Sequence, residues 1–215
     1  MRESVIASIK EHKIIAISRG VSGDNLLMTA EALYQGGIRL MEVTYSANGT
    51  VSDEDTAENI RMLVKHFENR MYIGAGTVMT ERQVELTLKA GGLFVISPNM
   101  DADVITKTRE LNLVSIPGAL TPTEVVEAHK AGADFVKLFP AGTFGPSYVK
   151  AVKAPISHVD LLVVGGIDEK NVASFLTAGA CGAGIGGNLV NTAWIKEGAF
   201  DKITEVAAQL TAAVR

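Results

Sequence analysis

Two ionisable side chains stand where a strand should be apolar. In Asp134-Phe-Val-Lys-Leu-Phe-Pro-Ala141, Lys137 interrupts a run that otherwise reads as a buried strand, and in Leu40-Met-Glu-Val-Thr44 the same is true of Glu42. Apolar surroundings disfavour an ammonium relative to the neutral amine, so such a lysine becomes a usable nucleophile near neutral pH. Strand side chains alternate between faces, so Leu40, Glu42 and Thr44 share one face and Phe135 and Lys137 share another. If both faces point into one interior, Glu42 and Lys137 meet. A neutral lysine adds to a ketone, the protonated imine acts as an electron sink, and a carboxylate within reach moves the protons. The plainer alternatives are a lysine that snorkels to water from a strand end and a structural ion pair between the two groups.

Positioning such a pair requires strands that deliver residues to one place, and the chain alternates short β-rich runs with helical patterns throughout. The strands expected are Ile14–Ser18, Leu40–Thr44, Tyr72–Gly76, Leu93–Ser97, Leu113–Ile116, Asp134–Leu138, Leu161–Val164 and Cys181–Ile185. Helices are expected between them, among others Asp24–Gln35, Glu54–Phe67, Thr80–Lys89, Asp101–Glu110, Pro122–Lys130 and Glu169–Thr177. Thr80-Glu-Arg-Gln83 and Thr121-Pro-Thr-Glu124 fit capping boxes, the second with proline at the first helical position. Helices end repeatedly in a small-residue turn, at Gln35-Gly-Gly37, Ala90-Gly-Gly92, Ala131-Gly-Ala133 and Ala178-Gly-Ala180, where glycine can close a helix and feed the next strand. This pattern predicts an α/β fold, a (β/α)8 TIM barrel spanning residues 1–215 as a single domain. A doubly wound open sheet is the competing architecture. It is disfavoured because Arg19-Gly-Val-Ser-Gly23, not Gly-x-Gly-x-x-Gly, follows the first strand.

Barrels work at the carboxyl ends of their strands, which singles out Arg19 after the first strand, Thr44 closing the second, Thr77 after the third and Ser97-Pro98-Asn99 after the fourth. Thr77 could anchor a carboxylate through its hydroxyl, or simply cap the following helix. The last two strands end in glycine pairs, Gly165-Gly166 and Gly186-Gly187. Their backbone N–H groups can approach an anion closely, in the loops where barrels usually hold phosphate; simple tight turns are the alternative.

Composition narrows the possibilities further. With 47% hydrophobic and 20% charged residues and a net charge of -4, the chain reads as an ordinary globular protein without the basic stripe of a nucleic-acid binder. Cys181 is the lone cysteine, and the polar Met1-Arg-Glu-Ser start lacks a secretory h-region, so a cytoplasmic protein without disulfides is expected. No apolar run approaches the ~20 residues of a membrane span. His12, His66, His129 and His158 stand singly, without second ligands at metal spacing, and read as surface residues.

Taken together, Ile38-Arg-Leu-Met-Glu-Val-Thr44, Ile73-Gly-Ala-Gly-Thr77, Ile96-Ser-Pro98, Ile116-Pro-Gly-Ala-Leu-Thr-Pro122, Phe135-Val-Lys-Leu-Phe-Pro-Ala141 and both glycine pairs resemble, in order and spacing, the 2-keto-3-deoxy-6-phosphogluconate (KDPG) and 4-hydroxy-2-oxoglutarate (KHG) aldolases of class I. The resemblance runs over nearly the whole chain. It implies a (β/α)8 barrel, a homotrimer, no metal and no organic cofactor. It implies a small 2-keto acid substrate cleaved to pyruvate and an aldehyde, glyceraldehyde 3-phosphate or glyoxylate. By the same likeness Lys137 forms the Schiff base, Glu42 is the acid and base, Thr77, Pro98 and Phe139 line the substrate, and Gly165, Gly166, Gly186 and Gly187 hold phosphate. One departure stands out. Many members carry an arginine four residues after the glutamate, where this chain has Ser46, and the loop after it, residues 47–53, looks longer. A serine cannot supply a bidentate cation, which leaves Arg19 as the candidate for that contact. Asn188 likewise stands where a serine is common. Two other readings stand beside it: a phosphate-binding epimerase or isomerase that uses Glu42 and Lys137 as acid and base without an imine, and a non-catalytic barrel that binds a phosphorylated ligand or serves as a scaffold and has little use for that pair.

Overall fold

The computed structural model describes residues 1–68 and 70–215. A helix, α1 (Arg2–His12), precedes β1 (Ile14–Ser18), and α2 (Gly23–Gln35), β2 (Leu40–Thr44), α3 (Asp53–Phe67) and β3 (Tyr72–Gly76) follow. The chain continues through α4 (Glu81–Lys89), β4 (Phe94–Ile96), α5 (Ala102–Glu110), β5 (Val114–Ile116), β6 (Gly118–Ala119), α6 (Pro122–Lys130) and β7 (Val136–Leu138). It ends with α7 (Ala141–Lys153), β8 (Leu161–Val164), α8 (Val172–Thr177), β9 (Gly182–Ile185), α9 (Thr192–Lys196) and α10 (Phe200–Ala213). None of the described helices is long and apolar enough to cross a membrane.

All pairings are parallel, in the order β5-β4-β3-β2-β1-β9-β8-β7-β6. The two ends of that list are the two halves of one strand. Pro117 separates β5 from β6: the first half pairs with β4, the second with β7, and Lys137 N–H donates to Pro117 O at 2.8 Å. The sheet is therefore the expected eight-fold barrel, with its fifth strand divided where proline removes a ladder donor.

Four expected strands are shorter than the sequence suggests. The amides of Asp134 and Phe135 both donate to Ser115 O, at 3.0 and 3.3 Å, so the chain enters β7 through a forked bond and not through a regular ladder. The Asp134 carboxylate accepts from Ser115 N–H at 3.0 Å and pairs with Arg109 at 3.1 Å and with Arg2, a structural ion cluster at the amino-terminal end of the barrel. Leu93, Ser97, Leu113 and Cys181 likewise fall just outside β4, β5 and β9. α8 begins at Val172 and not at Glu169, because the Asp168 carboxylate accepts from the amides of Lys170 and Asn171 and closes a local turn there.

The four glycine joints form as expected. Gly37, Gly91, Gly132 and Gly179 have φ of 93°, 87°, 105° and 110°, and the amide that follows each reaches back to the helix, as in Ile38 N–H to Leu33 O at 3.0 Å. That paired bonding is the Schellman closure, and Asn112 at φ 58° makes it after α5 without a glycine.

Two apolar layers result. Helices pack on the outside of the sheet around residues such as Leu26, Ile60, Val84, Val149 and Leu210. Inside the barrel, Ile15, Leu40, Phe94, Val114, Phe135 and Leu162 fill one end, and Val5 and Ile9 of α1 close it. The interior is thus apolar and plugged below, which leaves the other end for polar side chains.

Candidate active site

Glu42 and Lys137 both project into that upper interior. Glu42 is 2% exposed and Lys137 8%. In register, Glu42 lies between Ile17 of β1 and Gly74 of β3, and Lys137 between Gly118 of β6 and Leu162 of β8, so the two come from opposite sides of the barrel. Space for the carboxylate comes from Gly76, where an added Cβ would lie 2.3 Å from Glu42 Oε1. Glu42 Oε2 has no hydrogen-bond partner. A buried carboxylate oxygen without a partner is costly unless a substrate or proton completes it.

Burial drives the ionisation of both groups in opposite directions. Desolvation lifts the Glu42 carboxyl to about 7, against smaller opposing pulls from Lys137 and Arg19. Desolvation pushes the Lys137 ammonium below its ordinary range; Glu42 opposes this and Arg19 adds to it. Arg19 is therefore close enough to act on both. The pair can present a neutral amine beside a group poised to take or give a proton at neutral pH.

The rim residues gather around this pair. Arg19 Nη2 reaches Thr77 Oγ1 at 3.4 Å, joining the ends of β1 and β3. Thr77 is buried with φ 56°, and it does not cap α4, because Thr80 accepts from Gln83 N–H and does so. The Phe139 ring lies 5.0 Å from Lys137 Nζ and is half open to solvent. It also covers Gly165, where an added Cβ would sit 3.0 Å from the ring. Pro98 reaches the mouth because Gly118 lacks a side chain: a Cβ there would be 2.3 Å from Pro98 O. Pro98, Gly118 and Phe139 share a cleft of about 280 Å³.

The glycine pairs differ from each other. Gly165 and Gly166 have φ of 90° and 74° and are braced by Gly142 N–H to Gly165 O at 2.8 Å and Asn171 Nδ2 to Gly166 O at 2.9 Å. Gly186 and Gly187 need no left-handed backbone, and space beside Gly187 is open. Asn188 turns its amide back to Ile167 O at 2.9 Å, tying the two loops together. Among the described residues, the N–H groups of Gly166, Gly187 and Asn188 find no protein acceptor. Of these, Gly187 lines a cleft of about 340 Å³ together with Gly186 and Arg19, a setting suited to an anion.

A second cleft of about 360 Å³ opens on the other side of Arg19, between the loops after β1 and β2, with Ser22, Thr44, Ser46 and Asn48 in its wall. Ser46 does not present a free hydroxyl there. Its Oγ bonds Asn48 Oδ1 at 2.8 Å and Thr50 Oγ1 at 3.0 Å and accepts from Thr50 N–H at 3.1 Å, organising its own loop. The half-buried Ser46 leaves Arg19 as the cation of both clefts. The sequence reading passed over Gln83 as a site-supporting residue; its capping-box position marked the side chain, but not the bond that it makes.

Known proteins match this chain along most of its length. The family model of KDPG and KHG aldolase matches residues 5–206. A 2-dehydro-3-deoxy-6-phosphogalactonate aldolase of Escherichia coli (strain K12) is 33% identical over 177 residues, which cover 82% of this chain and 83% of that protein. The KHG/KDPG aldolase of the same organism is 31% identical over 182 residues, 84% of this chain and 82% of the relative. A solved KDPG aldolase from Legionella pneumophila, with pyruvate captured at low pH as a covalent carbinolamine intermediate, superposes with a TM-score of 0.84 at 28% identity, covering 95% of this chain and 97% of that one. A native KDPGal structure superposes equally well, at 0.84 with 31% identity and 93% of each chain covered.

Proposed function

The chain belongs to the KDPG and KHG aldolase family, and from that premise we propose that it cleaves a 2-keto-3-deoxy-6-phospho sugar acid to pyruvate and glyceraldehyde 3-phosphate by class I chemistry. 4-Hydroxy-2-oxoglutarate, cleaved to pyruvate and glyoxylate, is the smaller substrate of the same site. The observation that carries the reading is the buried Lys137 set across the barrel from a buried Glu42 carboxylate with an unsatisfied oxygen. Neutral Lys137 attacks the C2 carbonyl to give a carbinolamine, whose hydroxyl leaves as water with a proton from the Glu42 carboxyl, giving the protonated imine and the Glu42 carboxylate. Glu42 takes the proton of the C4 hydroxyl while the C3–C4 bond breaks and its electrons flow into the imine, releasing the aldehyde. The resulting enamine takes that proton back at C3, and hydrolysis of the imine frees pyruvate and the lysine.

The remaining residues bind. Thr77 and Arg19 hold the substrate carboxylate, Pro98 and Phe139 line the reacting carbons, and Gly165, Gly166, Gly186 and Gly187 receive the phosphate on backbone N–H groups. We expect the protein to act as a homotrimer, with residues 1–215 as one folding unit. The relatives frame both C4 epimers, since both phosphogalactonate and phosphogluconate aldolases resemble the chain.

Pyruvate release, coupled to its reduction by lactate dehydrogenase, tests the assignment with the phosphogluconate and phosphogalactonate acids and with 4-hydroxy-2-oxoglutarate. Turnover of a phosphorylated acid is expected, with Arg19→Ala raising KM by about 10- to 100-fold, the worth of a charge-assisted hydrogen bond. Ser46→Ala is expected to stay within about twofold of wild type, because that hydroxyl is spent on its loop. No turnover of any of the three acids contradicts the proposal, and an unaffected Arg19→Ala removes Arg19 from it.

A further inference from the structure

The turn between β3 and α4 carries a backbone conformation that its sequence does not favour. Thr77 is β-branched yet has φ 56°, a region that L side chains rarely adopt and that persists only where the surroundings over-determine it. Three contacts hold the turn. Val78 is fully buried and its N–H donates to Ile96 O at 3.1 Å; Met79 N–H donates to Gln83 Oε1 at 2.8 Å; Thr80 caps α4.

Gln83 is the one of these that reaches into the turn with a side chain from the helix beyond it. It is 7% exposed, and its Nε2 donates to Asp53 Oδ1 at 3.1 Å, at the start of α3. A carboxylate on one side and an N–H on the other fix which end of the amide points where. Its main-chain carbonyl accepts from Thr87 Oγ1 at 2.7 Å and from Tyr45 OH at 3.2 Å, so the residue is also tied to the residue that follows β2. The side chain touches neither the barrel interior nor a substrate cleft.

We propose that Gln83 is a positioning residue for the substrate carboxylate: wedged between Asp53 and the Met79 N–H, it holds Thr77 in the left-handed turn that sets its hydroxyl beside Arg19. The inference rests on the reading of Thr77 and Arg19 as carboxylate anchors. A merely structural amide between α3 and α4 would affect thermal stability alone. A positioning amide also alters pyruvate affinity, and only through Thr77.

The test is a double-mutant cycle on the full chain, with exchange of the pyruvate methyl protons into deuterated water as the readout. Gln83→Leu should raise the pyruvate KM by about tenfold, the loss of roughly one hydrogen bond's worth of alignment, while kcat for exchange stays within about threefold. Thr77→Ala should raise KM by itself, and Gln83→Leu added to it should change little. Gln83→Asn keeps the amide but cannot span both partners, so it gives the same split should the leucine variant not fold. An unchanged KM in the Gln83 variants beside a raised KM in Thr77→Ala overturns the positioning role and leaves the Thr77 assignment intact. Additive effects likewise overturn it. An unchanged KM in Thr77→Ala overturns the carboxylate reading, and the proposal with it.

Discussion

At the scale of the residue, burial alone makes Glu42 and Lys137 useful together. Each would be an ordinary ion in water, and desolvation moves the glutamate up to about 7 and the lysine down. Glu42→Gln keeps the shape but cannot carry protons, so exchange of the pyruvate methyl protons should fall by about 10²- to 10⁴-fold, measured by NMR at pH 7. The same group makes a stability prediction. Because its folded pKa is raised, the protonated form is the one the fold favours; its contribution is fully present below the unfolded value near 4.5 and is lost as pH rises toward about 7. Glu42→Gln should therefore raise Tm more at pH 8 than at pH 4.5. An equal change at both pH values would mean that the carboxyl is not desolvated.

At the scale of the element, the site depends on what strands leave out as much as on what they carry. Gly76 of β3 makes room for Glu42 of β2, and Gly118 of β6 for Pro98. Gly76→Ala should displace the carboxylate, cost about 1–3 kcal/mol of stability by overpacking and abolish measurable cleavage, as read by denaturant unfolding and the pyruvate assay. Much of this was legible in the chain. The period-two placement of Glu42 and Lys137 and the repeated glycine joints each carry a physical cause that sequence displays. What escaped were elements whose role is tertiary. α1 has few apolar positions, and Val5 and Ile9 gain meaning only because the barrel has an open lower end to plug. α7 contains Gly142, Gly145 and Pro146, and its backbone leaves the helical region at Gly145, so its residues carry no regular helical period. The capping-box expectation held fully at Thr121 and Glu124. At Thr80 it held by half, since Gln83 reaches one residue further back, to Met79.

At the scale of the molecule, the barrel separates support from chemistry. The Asp134, Arg2 and Arg109 cluster, the α1 plug and the inner apolar layer occupy one end, while Arg19, Thr77, Phe139 and the glycine loops crown the other. Lys137 stands between them, deep enough for burial to push its ammonium below the ordinary range, beside the half-open Phe139 ring at the mouth. That placement suits an imine, whereas an epimerase or a ligand-binding barrel would have no need of a covalent bond at that nitrogen. Incubation with pyruvate and borohydride, followed by peptide mass spectrometry, measures it directly. The mass of one reduced pyruvyl group is expected on the peptide containing Lys137, and no such mass in Lys137→Met. A stable wild-type protein that turns over substrate with no adduct, or an adduct on Lys150 or Lys153 instead, would contradict it.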